Sequence, residues 1–540
     1  MVGHWDIIVV IGYFFVLIGM GVAFTKLNQD TTDYFIGGRK ATWWMVGMSG
    51  FVMGISAYTF TGNAGAAYKA GWAVLPITVA SATSFLIAAV YFAPRLRRTR
   101  AVTMQEVIRD RYTLGTETMY STIGPLRWIL GSAVGLWAIS SFVAAVFAWQ
   151  LDLLIVGIGM VVLIYSLTGG RWAVMATDFV QGVVMVLMSL AITIYALVRI
   201  GGMSGIRDQA LQQGLADTLA LFKPSAEFGF FDDFSVGWII VSFIMLMVLQ
   251  CSLMTGVRFL ANKSEMDARK SSVLILVGYL FGGLLWIVPP IAARLMYSED
   301  VMAMQNLSDP SEAAYAVMAL KVLPNGMVGM LVIAIFAAAM STLDSGMNNN
   351  AAIFVRNLLP KYQRWRGRPL PSDAVQFRIA RTLTVVFGVA IIGLALFLAH
   401  SGIKSIFDLG MNIMGVIVLP MALPMMGAVF FRRLHPWTAY ITVVCGALPS
   451  VLQFAGLFQW GFTARTLAVF SAAAVGLIAG RLLWSRTSPA DQKRINEVYR
   501  RMETPIDVEK EVGPLVDFVQ LKMVGVGLLF AGGFVVATLL

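Results

Sequence analysis

Two carboxylates interrupt stretches of this sequence that are otherwise apolar. Asp178 lies in GGRWAVMATDFVQ, about two helical turns after Arg171, and Asp344 lies in IFAAAMSTLDSGMNNNAAIF. An ionisable side chain at membrane depth is costly unless it is paired or lines a watery cavity. Each aspartate is therefore a candidate functional residue, although Asp178 could instead pair with Arg171 or cap a helix.

Polar residues crowd around Asp344. Positions i, i+3, i+4 and i+7 share one face of a helix, and here they are held by Ala338, Ser341, Thr342 and Ser345. Asp344 flanks that face, and a hard monovalent cation prefers several oxygen ligands of the kind found there. The hydroxyls could instead bond to carbonyls of their own helix or join neighbouring helices, but this alternative leaves the aspartate unexplained.

A third chemically active stretch is TWWMVGMSGFVMGISAYTFTGNAGAAYKAG. Its glycines between Gly47 and Gly65, and the small or polar residues from Ser56 to Asn63, favour a helix that breaks. Broken helices expose carbonyls and helix ends near the bilayer midplane, where they coordinate ions and polar substrates. We therefore expect backbone ligands in this stretch.

The elements that must position these groups are membrane-spanning helices. Of the 540 residues, 58% are hydrophobic and 13% are charged, which excludes a soluble domain. Spanning a bilayer takes about 20 apolar residues, and the sequence contains about fourteen such runs. They lie at 6–26, 43–68, 72–94, 126–149, 151–168, 173–199, 236–257, 271–296, 325–355, 378–399, 405–430, 437–458, 463–484 and 516–540.

The basic residues give these runs an orientation. One alternating set of loops holds roughly thirty of the 40 Lys and Arg, and such loops stay cytoplasmic. The net charge of +11 is thus a topology signal and does not indicate a nucleic-acid partner. We predict a multi-pass protein of the plasma membrane, with both termini outside and the first run retained as a helix. The two cysteines, Cys251 and Cys445, lie in apolar segments and provide neither a disulfide framework nor a thiolate metal cluster.

Three ordered motifs resemble the sodium/solute symporter family, which includes sodium-coupled glucose, proline, sialic acid and monocarboxylate carriers. The first is DYFIGGRKATWWMVGMSGFVMGISAYTFTGNAGAAY, which resembles the family's entry signature. The second, IYSLTGGRWAVMATDFVQ, and the third, AAAMSTLDSGMNN, resemble two further family segments. The likeness spans nearly the whole chain.

The resemblance implies an all-α, LeuT-like fold, with an inverted repeat of five plus five helices between one extra N-terminal helix and three extra C-terminal helices. The expected parts are an N-terminal extra helix (1–27), a first core repeat (42–200), an extracellular amphipathic loop (201–235), a second core repeat (236–431), two C-terminal helices (436–484), a cytoplasmic linker (485–515) and a last helix (516–540).

The resemblance also implies cation ligands. The main sodium site would use the carbonyls of Val52, Ile55 and Ala338 and the hydroxyls of Ser341 and Thr342. Some members bind a second cation, for which the positions here would be Asp178, Ser341, Asp344 and Ser345. Of these residues, the helical spacing indicated Ala338, Ser341 and Thr342 independently.

The solute pocket departs from that of the sugar carriers. The glutamate position reads as Thr78 with Ser81 one turn later, and the sixth-helix polar and aromatic positions read as Met245, Val248 and Leu249. The lysine is replaced near Tyr279 or Leu280. The remaining candidates are uncharged donors, namely Ser56, Tyr58, Thr59, Thr78, Ser81, Gln250 and Asn412. Such a pocket suits a sugar-like or a carboxylate-like solute.

The resulting hypothesis is sodium-coupled symport of a small organic solute, with no organic cofactor, no obligate protein partner and no enzymatic activity. The alternative within transport is proton coupling through Asp178 or Asp344. A membrane enzyme would need paired catalytic groups at one depth, whereas His4, His400 and His435 lie at helix ends or in loops. A transporter-like sensor is the remote alternative, and the short segment after Trp484 leaves no room for a kinase module.

Overall fold

The computed structural model describes residues 41–168, 171–224, 227–304, 307–324 and 326–512, with Gly12 and Gly525 as isolated helical positions. Within these residues the chain is helical, and the pairing outside helices is an isolated bridge between Ala41 and Asn262. Eight described helices are long and apolar enough to cross a membrane, or nine if one bent pair forms a span. The predicted all-α membrane fold is confirmed at this level, whereas the fourteen spans and the inverted repeat stay predictions.

Several predictions concern residues outside the described ranges. These are the N-terminal extra helix at 1–27, the start of the entry signature before residue 41, the last helix at 516–540, and the location of both termini.

From residue 41 to residue 224, the described helices are α1 (Trp43–Gly54), α2 (Ala57–Phe60), α3 (Gly62–Ala70), α4 (Leu75–Ile87), α5 (Ala93–Arg98), α6 (Met104–Arg111), α7 (Leu114–Phe147), α8 (Leu151–Thr168), α9 (Arg171–Ile200), α10 (Gly202–Gln212) and α11 (Ala216–Leu219). A π-helical turn, Ala88–Phe92, joins α4 to α5.

From residue 227 to residue 400, they are α12 (Val236–Gln250), α13 (Leu253–Gly256), α14 (Glu265–Met296), α15 (Ser298–Met302), α16 (Ala314–Val322), α17 (Met327–Ile353), α18 (Leu359–Trp365) and α19 (Asp373–His400). They are followed by α20 (Ile406–Ile413), α21 (Leu419–Phe430), α22 (Thr438–Phe454), α23 (Phe462–Leu482), α24 (Pro489–Glu503) and α25 (Val508–Glu511). Several of these helices begin at a serine whose hydroxyl accepts a hydrogen bond from a first-turn N–H group, as at Ser235, Ser264, Ser405 and Ser488.

The first broken span comprises α1, α2 and α3. The helix ends at Gly54, and Ile55 (φ −112°, ψ 116°) and Ser56 (φ −122°, ψ 178°) are extended before α2 begins. Extended residues take their carbonyls out of the helical hydrogen-bond ladder. The break favoured by the glycine-rich sequence is therefore present, at Ile55 and Ser56.

A second broken span was not predicted. The helix α12 ends at Gln250, Ser252 is extended (φ −101°, ψ 162°), and the segment Leu253–Ala261 is bent by 50° relative to α12. The seventh apolar run contains no cluster of glycines at this point, and its polar residues Gln250, Ser252 and Thr255 were the available signal.

The long helix α14 shows how the first spans run. Phe51 packs beside Gly278, and Tyr68 accepts a hydrogen bond from Arg294. Residue numbers along the first broken span and along α14 thus increase in the same direction. The first broken span and α14 are therefore parallel, as the predicted order of crossings requires.

The next span runs the other way. Thr78 lies against Gly283, whereas the Ser272 hydroxyl donates to the carbonyl of Phe85 at 2.7 Å. The reversal falls at Gly71, whose φ of +64° is strained for any residue with a Cβ. The continuous apolar stretch Ala57–Arg98 has 42 residues, more than one crossing takes, because it contains the part of the first broken span after the break and the whole of the next span.

The core lies around α17. In the apolar window of Met327–Trp365, 88% of the residues are buried, compared with 28% in Asp373–His400 and 28% in Phe462–Arg486. The helix α17 packs against α7 and α9. The helix that carries Asp344 is therefore central, while α19 and α23 lie at the periphery.

The arginine-rich loops gather at one end of the bundle. Arg97 donates to the carbonyl of Asn262 at 2.5 Å, and Arg111 donates to the carbonyl of Phe431 at 2.9 Å. Both guanidinium groups are buried, and each satisfies carbonyls of a loop that is distant in sequence. This grouping agrees with the prediction that these loops lie on one side of the membrane.

The helix α24, within the predicted linker, packs across these loops. Its buried side chains are Ile495, Val498, Tyr499 and Met502. The Tyr499 hydroxyl donates to the carbonyl of Ala428 at 2.8 Å, and Arg501 pairs with Asp110 at 2.7 Å. One amphipathic helix therefore connects α6 to the end of α21.

Candidate functional site

The buried carboxylate of Asp178 faces the first broken span. Asp178 is 1% exposed, and it accepts a hydrogen bond from the Ser49 hydroxyl of α1 at 2.5 Å. The two helices pack closely, since a Cβ on Gly182 would lie 2.6 Å from the Val52 side chain. Sequence reasoning missed Ser49. The side chain of Arg171, the alternative partner, lies outside the described residues.

Asp344 is fully buried on α17. It accepts a hydrogen bond at 2.9 Å from Asn348, one turn further along the same helix. Because α17 packs against α9, the two predicted aspartates are carried by neighbouring helices. The two carboxylates thus have different environments: Asp178 accepts from a hydroxyl of another helix, and Asp344 accepts from an amide of its own helix.

The polar face of α17 is helical throughout, as its spacing requires. Ala338, Ser341, Thr342 and Ser345 all lie within Met327–Ile353, and Thr342 is half-buried. The side chains of Ala338, Ser341 and Ser345 lie outside the described residues. The structure therefore brings α17 against α1 and α2 without describing these hydroxyls.

The carbonyl candidates on α1 lie at the break. Val52 and Ile55 are fully buried, and the Ile55 N–H donates to the carbonyl of Val52 at 3.0 Å. Among the residues that the structure describes, no cluster of three or more His, Cys, Asp and Glu residues could hold a metal ion. A cation held between α1 and α17 would therefore rely on carbonyl and hydroxyl oxygens.

Three of the predicted solute-binding residues follow the break. Ser56 is half-buried at the start of α2, and its carbonyl accepts from the N–H of Thr59 at 2.9 Å. The Tyr58 hydroxyl donates to the carbonyl of Phe407 on α20 at 2.9 Å, and the two rings stack with centroids 6.3 Å apart. These residues link the part of the broken span that follows the break to α20.

The hydroxyls of Thr78 and Ser81 bond within their own helix, as hydroxyls in membrane helices commonly do. They donate to carbonyls of their own helix, Thr78 to Leu75 at 2.9 Å and Ser81 to Ile77 at 3.1 Å. Gln250 is the last residue of α12, at the second break, where its carbonyl accepts from the Thr255 hydroxyl at 2.6 Å. The described contacts do not join these three residues to Tyr58.

Asn412 lines a cavity of about 270 Å³ between α12, α20 and α23. Its side-chain oxygen accepts a hydrogen bond from Arg465. The other lining residues are Asp233, Phe234, Trp238, Phe407, Asp408, Met411 and Phe462. Sequence reasoning missed this cavity, because its walls come from three helices and a loop that are far apart in the chain.

An arginine connects the two broken spans. Arg258, in the 3-10 turn that follows α13, is 7% exposed and donates to the carbonyl of Gly50 at 2.6 Å. A charged donor at a backbone carbonyl makes a strong hydrogen bond. The second broken span thus holds α1, the part of the first broken span that precedes the break.

Comparison with known proteins supplies the context for this geometry. Residues 34–446 match the model of the Sodium:solute symporter family, which confirms the resemblance drawn from the three motifs. The chain is 25% identical over 492 residues to Sodium/glucose cotransporter 2 of Rattus norvegicus, covering 84% of this chain and 72% of that protein. It is 22% identical over 499 residues to Sodium/sialic acid symporter NanT of Aliivibrio fischeri, covering 92% and 95%.

The fold is also similar to that of a solved structure. This structure is of a Na+-coupled sialic acid symporter in a substrate-bound, outward-open state, with a TM-score of 0.76 and 20% sequence identity. The superposition covers 90% of this chain and 99% of the symporter chain. The two chains therefore share their fold over nearly their whole length.

Proposed function

Since this chain belongs to the sodium:solute symporter family, we propose that it carries a small organic solute across the membrane together with sodium, by alternating access. The observation that carries the proposal is the break at Ile55 and Ser56, packed against the polar helix α17 inside the bundle. The curated relatives named above are sodium-coupled carriers of a sugar and of sialic acid, which supports the same coupling here.

We propose that the main sodium site lies between α1 and α17. Its ligands would be the carbonyls of Val52, Ile55 and Ala338 and the hydroxyls of Ser341 and Thr342. The extended backbone at Ile55 supports this assignment, because it releases a carbonyl from the helical ladder at a fully buried position. A sodium ion bridging the two helices would hold the broken span against α17, and its loss would release them.

We propose a second cation site from Asp178, Ser341, Asp344 and Ser345. Both aspartates are buried on packed helices, where an ionised carboxylate needs a compensating charge. The bond between Asp178 and Ser49 would couple this site to α1. The same burial makes proton coupling through Asp178 or Asp344 the alternative, because a buried carboxyl can also be neutralised by a proton.

The solute would bind beside the break. Tyr58 bonds to α20, and α20 carries Asn412, so a solute held by both would contact the part of the broken span after the break and α20 at once. We propose a sugar-like or carboxylate-like solute, with Ser56, Thr59, Thr78, Ser81 and Gln250 as further neutral donors. The positive N-terminal end of α2 is compatible with an anionic group.

Uptake by proteoliposomes tests the coupling. An inward sodium gradient should drive solute uptake, and replacing sodium by choline should abolish it. Ser341→Ala combined with Thr342→Ala should remove the sodium dependence. The matched control is Thr122→Ala with Thr382→Ala, which removes two exposed hydroxyls that bond to their own helices. Uptake that is unchanged in choline, or equal in both double variants, contradicts the proposal.

A second gradient separates the alternative. If protons drive transport, an imposed pH gradient should support uptake without sodium, and Asp178→Asn or Asp344→Asn should abolish that uptake. Sodium coupling predicts no uptake under those conditions.

A further inference from the structure

The cavity beside Asn412 has walls of two chemical kinds. One wall is aromatic: the Phe234 ring lies 4.7 Å from Trp238 and 5.9 Å from Phe407, and Trp238 lies 6.2 Å from Phe462. The opposite lining is charged, with the carboxylates of Asp233 and Asp408 and the guanidinium of Arg465. Trp238 and Phe407 are buried and the other two rings are half-buried, whereas both carboxylates are exposed, so the cavity opens toward them.

Arg465 has spare hydrogen-bonding capacity in this cavity. It donates a hydrogen bond to the neutral side chain of Asn412, and its buried Nε has no hydrogen-bond partner. Among the residues that the structure describes, Arg465 forms no ion pair, although two carboxylates line the same cavity. A half-buried guanidinium of this kind favours an anionic ligand, because a carboxylate matches its planar fork.

The two carboxylates have the opposite preference. Burial, followed by the neighbouring Asp408 and Asp232 carboxylates, raises the pKa of Asp233. Asp408 lies in the first turn of α20, where a negative charge is favourable, and Ser405 caps the N-terminus of this helix. The side chain of Asp408 nevertheless lines the cavity. Two mutually repelling carboxylates beside aromatic faces favour a cationic nitrogen.

We propose that this cavity is an outer binding site for a zwitterionic organic solute. The cationic nitrogen would lie between Asp233 and Asp408 against the aromatic wall, and the carboxylate would meet Arg465. The inference deepens the proposed symport function, on which it rests for its place in the transport cycle. It narrows the carboxylate-like solute to one that also carries a positive charge.

The site would lie one layer outside the broken span. Phe407 lines the cavity on one side, and its carbonyl accepts the Tyr58 hydroxyl on the other. Gly410 leaves room for Tyr58, since a Cβ there would lie 2.6 Å from the Tyr58 ring. A solute in the outer site would therefore reach the break only after Phe407 and Tyr58 separate.

A set of matched probes tests the chemistry. Trimethylglycine carries both charges, and choline has only the cation. In 3,3-dimethylbutyrate a carbon replaces the quaternary nitrogen of trimethylglycine, so that only the carboxylate remains. Glucose is a neutral polyol. Binding to purified full-length protein in sodium would be measured by equilibrium dialysis and thermal stabilisation. Trimethylglycine should bind at least about tenfold more tightly than either single-charge probe, because the two charge contacts act together.

The variants assign each charge to its partner. Arg465→Gln should weaken trimethylglycine and 3,3-dimethylbutyrate but not choline, and Asp408→Asn should weaken trimethylglycine and choline but not 3,3-dimethylbutyrate. The matched controls are Lys321→Gln and Asp300→Asn, which alter an exposed ion pair elsewhere. A thermal-unfolding temperature like that of the wild type, measured without any probe, shows that each variant is folded.

Two results would overturn the outer site: glucose binding as tightly as trimethylglycine, or Arg465→Gln behaving like Lys321→Gln. A different result bears on the proposed function. If trimethylglycine binds as expected but sodium neither stabilises the protein nor drives uptake, then the outer site stands and sodium symport falls.

Discussion

The two broken spans have similar backbone breaks but differ in how charge meets them. Ile55 and Ser56 interrupt the first span, and Ser252 interrupts the second. The first span carries no buried charge before its break and receives two from other helices, the carboxylate of Asp178 at Ser49 and the guanidinium of Arg258 at Gly50, whereas the second span carries Arg258 itself. A helix break is therefore not a cation site by itself, since the charge of the neighbouring side chains decides which ligand it suits.

The contact between the spans also indicates that the second span supports the first. Arg258 reaches from the second span to the carbonyl of Gly50 in the first, and it thereby fixes the segment that leads to Ile55. The first span is thus where we expect sodium to act, and the second is where we expect the frame that holds it. Four predictions test this division, from the largest expected effect to the smallest.

Asp178→Asn should have the largest effect. It removes the negative charge that faces the first break, and we expect sodium affinity to fall by about 10- to 100-fold. The measurement is the half-saturating sodium concentration for uptake. Asp344→Asn is the matched comparison and should have a smaller effect, because Asp344 accepts a hydrogen bond from Asn348 on its own helix. The reverse order would shift the cation site from α1 to α17.

Gly54→Ala should be the next most harmful. A Cβ at Gly54 would overlap the hydroxyl of Tyr279, on a ring that packs against Phe85 with centroids 5.7 Å apart. We expect a loss of about 1–3 kcal/mol in stability. Gly256→Ala, after the second break, should cost less, because its closest contact is the flexible end of Leu96 and the Phe92 ring lies at an ordinary 3.4 Å. Thermal unfolding of both variants, with Gly131→Ala as an unhindered control, measures the difference.

Arg258→Lys tests the support between the spans. Lysine keeps the charge but loses the planar fork that reaches Gly50, so we expect a loss of about 1–2 kcal/mol. Sodium affinity should fall with stability, because the segment before Ile55 is less well held. Arg500→Lys, at an exposed position, is the control and should change neither. A stability loss with unchanged sodium affinity would separate the frame from the site.

Glu312→Gln should have the smallest effect on sodium affinity, and its effect on stability should appear as a slope with pH. Glu312 lies against Gly65, which belongs to α3 of the first broken span. Its carboxylate accepts a hydrogen bond from the Ile406 N–H group at 2.6 Å. Burial, followed by the Asp309 carboxylate, raises the pKa of Glu312 to about 8, and the N–H groups of Ile406 and Phe407 and the charge of Lys69 lower it in part.

The sign follows from the raised pKa. The folded state holds the proton more tightly than the unfolded state, so this group's stabilising contribution is present in acid and is lost as the pH rises toward 8. Thermal unfolding should show Glu312→Gln gaining on the wild type between about pH 5 and pH 8, by on the order of a few kcal/mol. Parallel pH profiles for the two proteins would contradict this result.

The sequence predicted best those features that depend on local spacing. The apolar runs within the described residues coincide with helices, and the glycine-rich run breaks as favoured. The second break escaped prediction because Cys251 and Ser252 look unremarkable inside an apolar run. Helix ends were also imprecise: α7 begins at Leu114, well before the predicted 126, because its first turns are polar and capped by Thr113.

The missed site residues share a different cause. Ser49 and Asp178 are 129 positions apart, and Arg258 and Gly50 are 208 positions apart. Such pairs are set by the packing of whole helices, which no local spacing records. Asp178 was identifiable because a buried charge is rare in a span, whereas a serine among glycines is common there.

The helix α24 has a practical consequence for handling the protein at high ionic strength. The ion pair of Arg501 with Asp110 is partly exposed, and such pairs contribute about 0–1 kcal/mol and weaken when salt shortens the Debye length. Ile495, Val498 and Met502 are buried under the same helix, and apolar burial does not weaken in this way. Concentrated salt should therefore leave α24 in place, while a charge introduced at Ile495 should detach it in any buffer.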